Sequence, residues 1–195
     1  MYGQRDNPAF EACLAAMRTT AKDAALFVPY LRPGMQVLDV GSGPGSITVG
    51  LAEAVAPGEV VGMDMQQLQV ERASVLAAER GVRNARFEVG DAYRLPFPDG
   101  SFDAAFANAV IFHLNEPVRA LAEMRRVLRP RGIAAVNDPD FVTVLFTPAT
   151  PLLEQWLALV IRVLQHNGGD PFWARHLRSL FFTLTYCEAV GWTGD

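Results

Sequence analysis

Three aspartates are spaced so that their carboxylates could bind one ligand together. Asp39, Asp64 and Asp91 each end or directly follow a short run of residues that is typical of a strand. The carboxyl ends of parallel strands meet at one edge of an open α/β sheet, and ligands bind at that edge. Ionised carboxylates accept hydrogen bonds from hydroxyl and amino groups and offset positive charge. We therefore expect a polar binding crevice at this edge.

A glycine-rich loop separates the first of these strands from the following helix. Gly41, Gly43 and Gly45 occupy alternate positions before a helix predicted over residues 47–56. Glycine readily adopts positive φ, and its missing Cβ lets a ligand lie against the backbone. A strand, such a loop and a helix N-terminus together form the nucleotide crevice of open α/β sheets. Asp64 follows the glycines by roughly 20 residues, the spacing of a ribose-binding carboxylate.

Alternating strand and helix patterns predict the elements that position these residues. The fold class is α/β, a Rossmann-like, doubly wound and mostly parallel sheet with the strand order 3-2-1-4-5. The predicted strands are 37–40, 59–64, 85–89, 102–107 and 133–136, and the predicted helices are 7–30, 47–56, 68–80, 116–128, 152–165 and 172–182.

The motifs from residue 18 to residue 140 resemble those of a known family. They are Asp39-Val40-Gly41-Ser42-Gly43-Pro44-Gly45, Gly62-Met63-Asp64, Gly90-Asp91-Ala92, Leu95-Pro96-Phe97-Pro98-Asp99-Gly100-Ser101-Phe102-Asp103, Val127-Leu128-Arg129-Pro130 and Gly132. The sequence resembles class I S-adenosylmethionine-dependent methyltransferases, of the small-molecule type related to ubiquinone- and menaquinone-biosynthesis enzymes. The resemblance implies S-adenosyl-L-methionine as the cofactor and no metal.

The resemblance also implies residue roles. The glycine loop would contact the methionine part of the cofactor, Asp64 the ribose hydroxyls and Asp91 the adenine amino group. Asn108 and Ala109, after the fourth strand, would flank the sulfonium. The complete implied cofactor set is Asp39, Gly41, Ser42, Gly43, Gly45, Asp64, Met65, Gln69, Asp91, Ala92, Asn108 and Ala109.

Methyl transfer needs a base only when the acceptor has a proton to lose. His113 is the first candidate because it follows the fourth strand, and a structural histidine is the alternative interpretation. Asp138 and Asp140, after the fifth strand, are the next candidates. His166 and His176 belong to the segment that could cover the acceptor.

The chain divides into a cofactor-binding core with an N-terminal helix, residues 1–140, and a helical lid with a shortened C-terminal segment of the same domain, residues 141–195. The helix opened by Pro151 is apolar on nearly every side, which predicts burial over a substrate pocket or against another subunit. The strand pair that ends the sheet in the family looks shortened or missing, with only 181–186 as a strand-like run. An uncovered strand edge favours pairing with another chain, so we expect a homodimer.

The composition of the chain argues against nucleic-acid-binding, membrane-spanning and disulfide-rich proteins. The 195 residues are 50% hydrophobic and 19% charged, with a formal net charge of −4. A negative chain is a poor match for nucleic acid, and no apolar run reaches membrane-spanning length. Two cysteines, Cys13 and Cys187, are too few for a disulfide scaffold, which favours the cytoplasm.

The expected function is methyl transfer to a small apolar or amphipathic metabolite. Two alternatives remain. A subunit that binds the cofactor or a partner without catalysis would share the same motifs. A nicotinamide-dependent dehydrogenase would share the glycine loop and Asp64, but Lys22 is the only lysine and precedes the sheet. That position excludes dehydrogenases that use a Tyr–Lys proton relay after the sheet.

Overall fold

The computed structural model of the protein describes residues 18–177 and 188–190. The strands are β1 (Val37–Val40), β2 (Val60–Asp64), β3 (Ala85–Val89), β4 (Phe102–Asn108), β5 (Leu128–Asn137) and β6 (Glu188–Val190). They form one parallel sheet with the order β3-β2-β1-β4-β5-β6. The predicted order 3-2-1-4-5 is confirmed. Because β1 is central, its carboxyl end lies between those of β2 and β4.

Four of the five α-helices in the described part of the chain lie at nearly the predicted positions. The α-helices are α1 (Thr20–Asp23), α2 (Ser46–Val55), α3 (Gln67–Glu79), α4 (Pro117–Val127) and α5 (Pro151–His166), and short 3-10 turns span Val28–Tyr30, Ile111–His113 and Trp173–His176. Gly81, just past α3, has φ +68°, the left-handed conformation of a helix C-terminus. Within the described ranges, no helix combines the length and hydrophobicity needed to cross a bilayer.

Each face of the sheet carries its own hydrophobic core. Side chains alternate between the two faces of a strand, so Val37 and Leu38 of β1 enter different clusters. One cluster packs α2 and Phe27, whose ring stacks on Phe106 at a centroid distance of 4.9 Å. The other cluster packs α4 against the opposite face. Cover on both faces holds the carboxyl edge of the sheet in a fixed geometry.

The predicted N-terminal helix over residues 7–30 is wrong in its described part. After α1 the chain leaves the helical conformation at Ala24, and it resumes only as the turn Val28–Tyr30. Pro29 has no N–H for a helix interior, and Phe27 is buried against the sheet. Residues 7–17 lie outside the described part of the chain.

The fifth strand begins earlier than predicted. α4 ends at Val127 and β5 starts at Leu128, with a register shift between the pairs Phe102–Leu128 and Ala104–Ile133. The residues between these pairs form an irregularity of the bulge type within β5, with Arg131 at φ +65°. The start of β5 was not predicted because this stretch contains residues that are typical of turns.

The C-terminal part of the sheet differs from expectation. β6 pairs in parallel with β5 at Ile133–Ala135, so this part of the β5 edge is covered. The predicted strand-like run 181–186 lies outside the described residues. Of the predicted helix 172–182, the described part contains the 3-10 turn Trp173–His176 followed by Leu177 in helical conformation, and residues 178–182 lie outside the described part of the chain.

The helix α5 is less buried than the sequence predicts. The helix begins at Pro151 as expected, and Thr150 caps it by accepting the Leu153 N–H. Only Leu164 is fully buried within the described structure. An apolar stripe remains exposed on one side, formed by Leu152, Trp156, Leu159 and Val163. Positions four, three and four residues apart share one helix face, which explains why the apolar side chains form a continuous stripe.

Candidate cofactor site

The glycine loop folds back onto the end of β2. The backbone N–H groups of Gly41 and Ser42 both donate to the carbonyl oxygen of Met63, at 2.7 and 2.9 Å. Gly41, Gly43 and Gly45 have φ values of +72°, +53° and +84°. Three left-handed residues within five positions explain why glycine alternates here, because other side chains resist this conformation.

The three glycines have different surroundings. A Cβ on Gly41 would overlap the side chain of Val110, and one on Gly45 would lie 2.8 Å from the Cβ of Ala73. Nothing lies within 4 Å of a Cβ placed on Gly43. Gly41 and Gly45 therefore allow close packing, whereas Gly43 faces open space in which a ligand can lie against the backbone.

Asp64 links this loop to the following helix. Its Oδ2 accepts the Gly43 N–H at 3.0 Å, and its Oδ1 accepts the Gln66 N–H at 2.9 Å. Asp91, after β3, is exposed, and its Oδ1 accepts the Tyr93 N–H at 2.8 Å. The two carboxylates follow neighbouring strands, as the sequence predicts.

Asp39 lies beneath the loop. Its side chain is only 2% exposed, and its Oδ2 accepts the Thr48 hydroxyl at 2.6 Å. Burial, reinforced by the charge of Asp64, raises the pKa of Asp39 to about 7, although the Thr48 hydrogen bond opposes the shift. Sequence reasoning missed Thr48, whose signal was a second hydroxyl residue, after Ser46, in the first turn of α2.

Asn108 and Ala109 form the junction after β4. Asn108 is buried, and its Oδ1 accepts the Asn137 Nδ2 at 2.9 Å. The Ala109 N–H donates to the Asn137 carbonyl at 2.9 Å, and Ala109 has φ +56°. A positive φ at alanine is uncommon and marks a sharp turn held by its surroundings.

The base candidates have different environments. His113 is partly buried at the end of the turn after β4, with its ring centroid 4.0 Å from that of Phe112. Asp138 accepts hydrogen bonds from backbone amides, and Asp140 pairs with Arg175 at 2.9 Å. The two carboxylates therefore have structural partners. His166 and His176 are exposed.

The other predicted cofactor residues vary in exposure. Met65 is 77% exposed, Ala92 is partly buried and Gln69 is buried on α3. The hydroxyl of Ser42 is buried and has no hydrogen-bond partner among the described residues. The open face of Gly43, this hydroxyl and the carboxylates fit a cationic nucleoside such as S-adenosyl-L-methionine.

A separate groove of about 610 Å³ lies at the N-terminus of α4. Its apolar lining includes Leu114, Pro117, Val118 and Trp173. No predicted cofactor residue lines it, so it is distinct from the glycine-loop crevice.

Residues 31–174 match the profile of the methyltransferase domain family. The chain belongs to this family. Its parallel sheet has a strand order that methyltransferases share with Rossmann dehydrogenases. The family match itself, over residues 31–174, shows that the dehydrogenase alternative is wrong. The family match includes the glycine loop, Asp64, Asp91 and the turn after β4.

Three similar proteins support this assignment. An uncharacterized methyltransferase of Schizosaccharomyces pombe is 34% identical over 84% of the chain and 60% of its own length. A demethylmenaquinone methyltransferase of Staphylococcus aureus is 33% identical over 73% of the chain and 56% of its own length. A SAM-dependent methyltransferase structure from Aquifex aeolicus, 26% identical, has a TM-score of 0.62 over 83% of this chain and 88% of that one. The chain thus spans less than two thirds of these two curated relatives.

Proposed function

We propose that this methyltransferase domain binds S-adenosyl-L-methionine in the glycine-loop crevice and methylates a small apolar or amphipathic metabolite. The open backbone face of Gly43 carries the proposal, because its N–H bonds to the Asp64 carboxylate and no atom lies within 4 Å of the position that a Cβ would take. The cofactor supplies an electrophilic methyl group on a sulfonium. The protein would orient the acceptor and exclude water.

Each part of the crevice has a role in this proposal. The backbone of Gly41–Gly45 would lie against the methionine part of the cofactor. Asp64 would accept hydrogen bonds from the ribose hydroxyls, and Asp91 has a second carboxylate oxygen for the adenine amino group. Asn108 and Ala109 would flank the sulfonium at the end of β4.

His113 would take a proton from an acceptor that loses one. Its position in the turn just after Asn108 and Ala109 supports this role. The carboxylates of Asp138 and Asp140 are less suitable, because taking up a proton would weaken the charge-assisted hydrogen bonds of Asp138 to backbone amides and the ion pair of Asp140 with Arg175. A carbon or sulfur acceptor that is already nucleophilic would not need His113.

Aromatic side chains support an apolar acceptor. Phe141 follows β5 and lies 5.5 Å from the Phe112 ring, measured between centroids. Phe146 contacts Trp156 of α5 at 6.0 Å. The Staphylococcus aureus relative is named for demethylmenaquinone, a quinone, which supports the same class of acceptor.

A binding titration followed by a transfer assay tests the proposal. Calorimetry with S-adenosyl-L-methionine should show one site per chain, and methyl-labelled cofactor should label an apolar quinone or phenol from a metabolite panel. The Gly43→Val variant serves as the negative control, and its signal defines the background of both assays. Absence of binding by the folded protein would contradict the proposal. Binding without transfer to any acceptor would favour a catalytically silent subunit.

The exposed stripe of α5 supports a further proposal, that the protein is a homodimer. The stripe comprises Leu152, Trp156, Leu159 and Val163 and is open to solvent in the described structure. Contiguous apolar surface of this kind commonly marks an interaction site.

A further inference from the structure

The carboxylate of Asp138 holds the loop that follows β4. Asp138 comes directly after β5 and is partly buried. Its Oδ1 accepts the Val110 N–H at 2.9 Å, and its Oδ2 accepts the Phe112 N–H at 2.8 Å. Both oxygens therefore bind amides of one short loop, two residues apart. Hydrogen bonds to an ionised acceptor are about twice as strong as neutral ones.

The loop needs such a support because its start is strained. Ala109 has φ +56°, a conformation that alanine adopts only where the surroundings hold it. The Ala109 N–H bonds to the carbonyl of Asn137, the residue before Asp138. Residues 137 and 138 thus bind three amides of the loop over residues 109–112.

The loop in turn contacts the glycine loop. The side chain of Val110 occupies the space that a Cβ on Gly41 would need. Contacts therefore run from Asp138 through the Val110 backbone and side chain to Gly41. The same loop joins Asn108, at the end of β4, to His113.

We propose that Asp138 is a positioning residue for the methyl-transfer centre. Asp138 holds residues 109–113 against Gly41, so that Asn108, Ala109 and His113 face the reacting groups. This inference rests on the proposed function. Asparagine would not replace the carboxylate, because it has one acceptor oxygen and would turn an NH₂ donor toward one of the two amides. Asp138 itself does not touch the cofactor in this proposal.

Asp138→Asn tests the inference, with Asp140→Asn as the matched control. Asp140 is an acid two residues away that pairs with Arg175 instead of the loop. The measurements are made at pH 8, because burial raises the pKa of Asp138 to about 6 and the carboxylate is then ionised. Two ligands are compared by calorimetry or competition, S-adenosylhomocysteine and adenosine. Adenosine reports only the Asp64 and Asp91 side of the crevice.

We expect Asp138→Asn to weaken S-adenosylhomocysteine binding by about 10-fold or more, from the loss of charge-assisted hydrogen bonds. Adenosine binding should change by less than about 3-fold, because its contacts lie elsewhere. Asp140→Asn should leave both affinities unchanged. An equal loss for both ligands in Asp138→Asn, or no loss for either, would overturn the inference.

Amide hydrogen exchange gives a readout that does not require a ligand. Asp138→Asn should speed exchange at Val110 and Phe112, and unchanged exchange there would also overturn the inference. If Asp138→Asn does not fold, Val110→Ala removes the contact with Gly41 and should weaken S-adenosylhomocysteine selectively. If the wild-type protein binds neither ligand but exchange responds as expected, the proposed function fails while the support of the loop by Asp138 stands.

Discussion

At the scale of single residues, four aspartates at one sheet edge have different environments and so different roles. Asp39 is buried beneath the glycine loop, whereas Asp91 is exposed beside it. Asp64 ties the loop to α3, and Asp138 holds the turn after β4. The sequence predicts that acids collect at this edge, but their neighbours determine which of them remain available to a ligand.

The first prediction concerns Asp91. Asp91→Ala should weaken cofactor binding by about 10- to 150-fold, since loss of a hydrogen bond to a charged acceptor costs roughly 1.5–3 kcal/mol. The fold should persist because Asp91 is exposed. Calorimetry measures the affinity, with Glu79→Gln as a control that removes an exposed acid at the end of α3. Equal affinities in the two variants would contradict the assignment of Asp91 to the cofactor.

Asp64→Ala should weaken binding by at least as much. This change removes both the ribose acceptor and the hydrogen bonds to the Gly43 and Gln66 amides. The glycine loop should then lose order as well as a ligand contact. Faster amide exchange at Gly43 in the ligand-free variant would distinguish the two effects. Unchanged cofactor affinity would be incompatible with this crevice as the binding site.

The pKa of Asp39 predicts how stability depends on pH. In the folded protein this pKa is about 7, compared with 3.8 for the free side chain. The folded state therefore retains a proton that the unfolded state releases, and this contribution to stability falls as the pH rises from about 4 to 7. Asp39→Asn removes the titration, so its stability relative to wild type should increase by about 1–3 kcal/mol between pH 5 and pH 8.

Urea unfolding of the ligand-free proteins at both pH values measures this effect. Asp138 is present in both proteins, so its own titration cancels in the comparison. A difference in unfolding free energy that is the same at pH 5 and pH 8 would show that Asp39 is ionised in the folded state throughout.

At the scale of elements, the glycine loop offers a test in which strain and ligand contact can be separated. Gly43 and Gly81 both have positive φ, +53° and +68°, and both face open space. Gly43→Val should abolish cofactor binding, because the side chain fills the crevice. Gly81→Val has similar backbone strain at the end of α3 and should retain binding. Calorimetry with circular dichroism would check both, and normal affinity in Gly43→Val would show that the loop does not touch the ligand.

The sequence predicted most elements because their patterns are local. β3 begins and ends at the predicted residues, and α2 and α4 agree to within one residue. β5 was predicted too short because Pro130 and Gly132 suggested a loop, whereas tertiary pairing of Leu128 with Phe102 extends the strand. The N-terminal helix failed because Phe27 leaves the helix to stack on Phe106.

The same contrast between local patterns and tertiary contacts applies to the residues of the candidate site. Glycines and acids at strand ends follow from chain order, so the sequence could indicate Asp64 and Asp91. The support of the turn by Asp138 depends on how β5 lies beside β4, which no local pattern contains. Tyr93 is a similar case, since its hydroxyl accepts the Asn115 and Glu116 amides at the start of α4.

At the scale of the whole molecule, helices cover both faces of the sheet, whereas the apolar stripe of α5 remains exposed in the described structure. Pairing of β6 with β5 covers the β5 edge from Ile133 to Ala135, so this part of the edge no longer argues for association. The stripe on α5 remains, with Trp156 51% and Leu159 58% exposed. Its side chains repeat at spacings of four, three and four residues, the pattern of helices that pack against other helices.

The last prediction is that this stripe mediates self-association. Wild-type protein at micromolar concentration should scatter light as a dimer, and Trp156→Glu should give a monomer because a charge would be buried at the contact. Gln155→Glu adds the same charge at a neighbouring exposed position outside the stripe and should leave the dimer intact. If all three proteins are monomers with low binding of a hydrophobic dye, the α5 stripe is not a dimer contact.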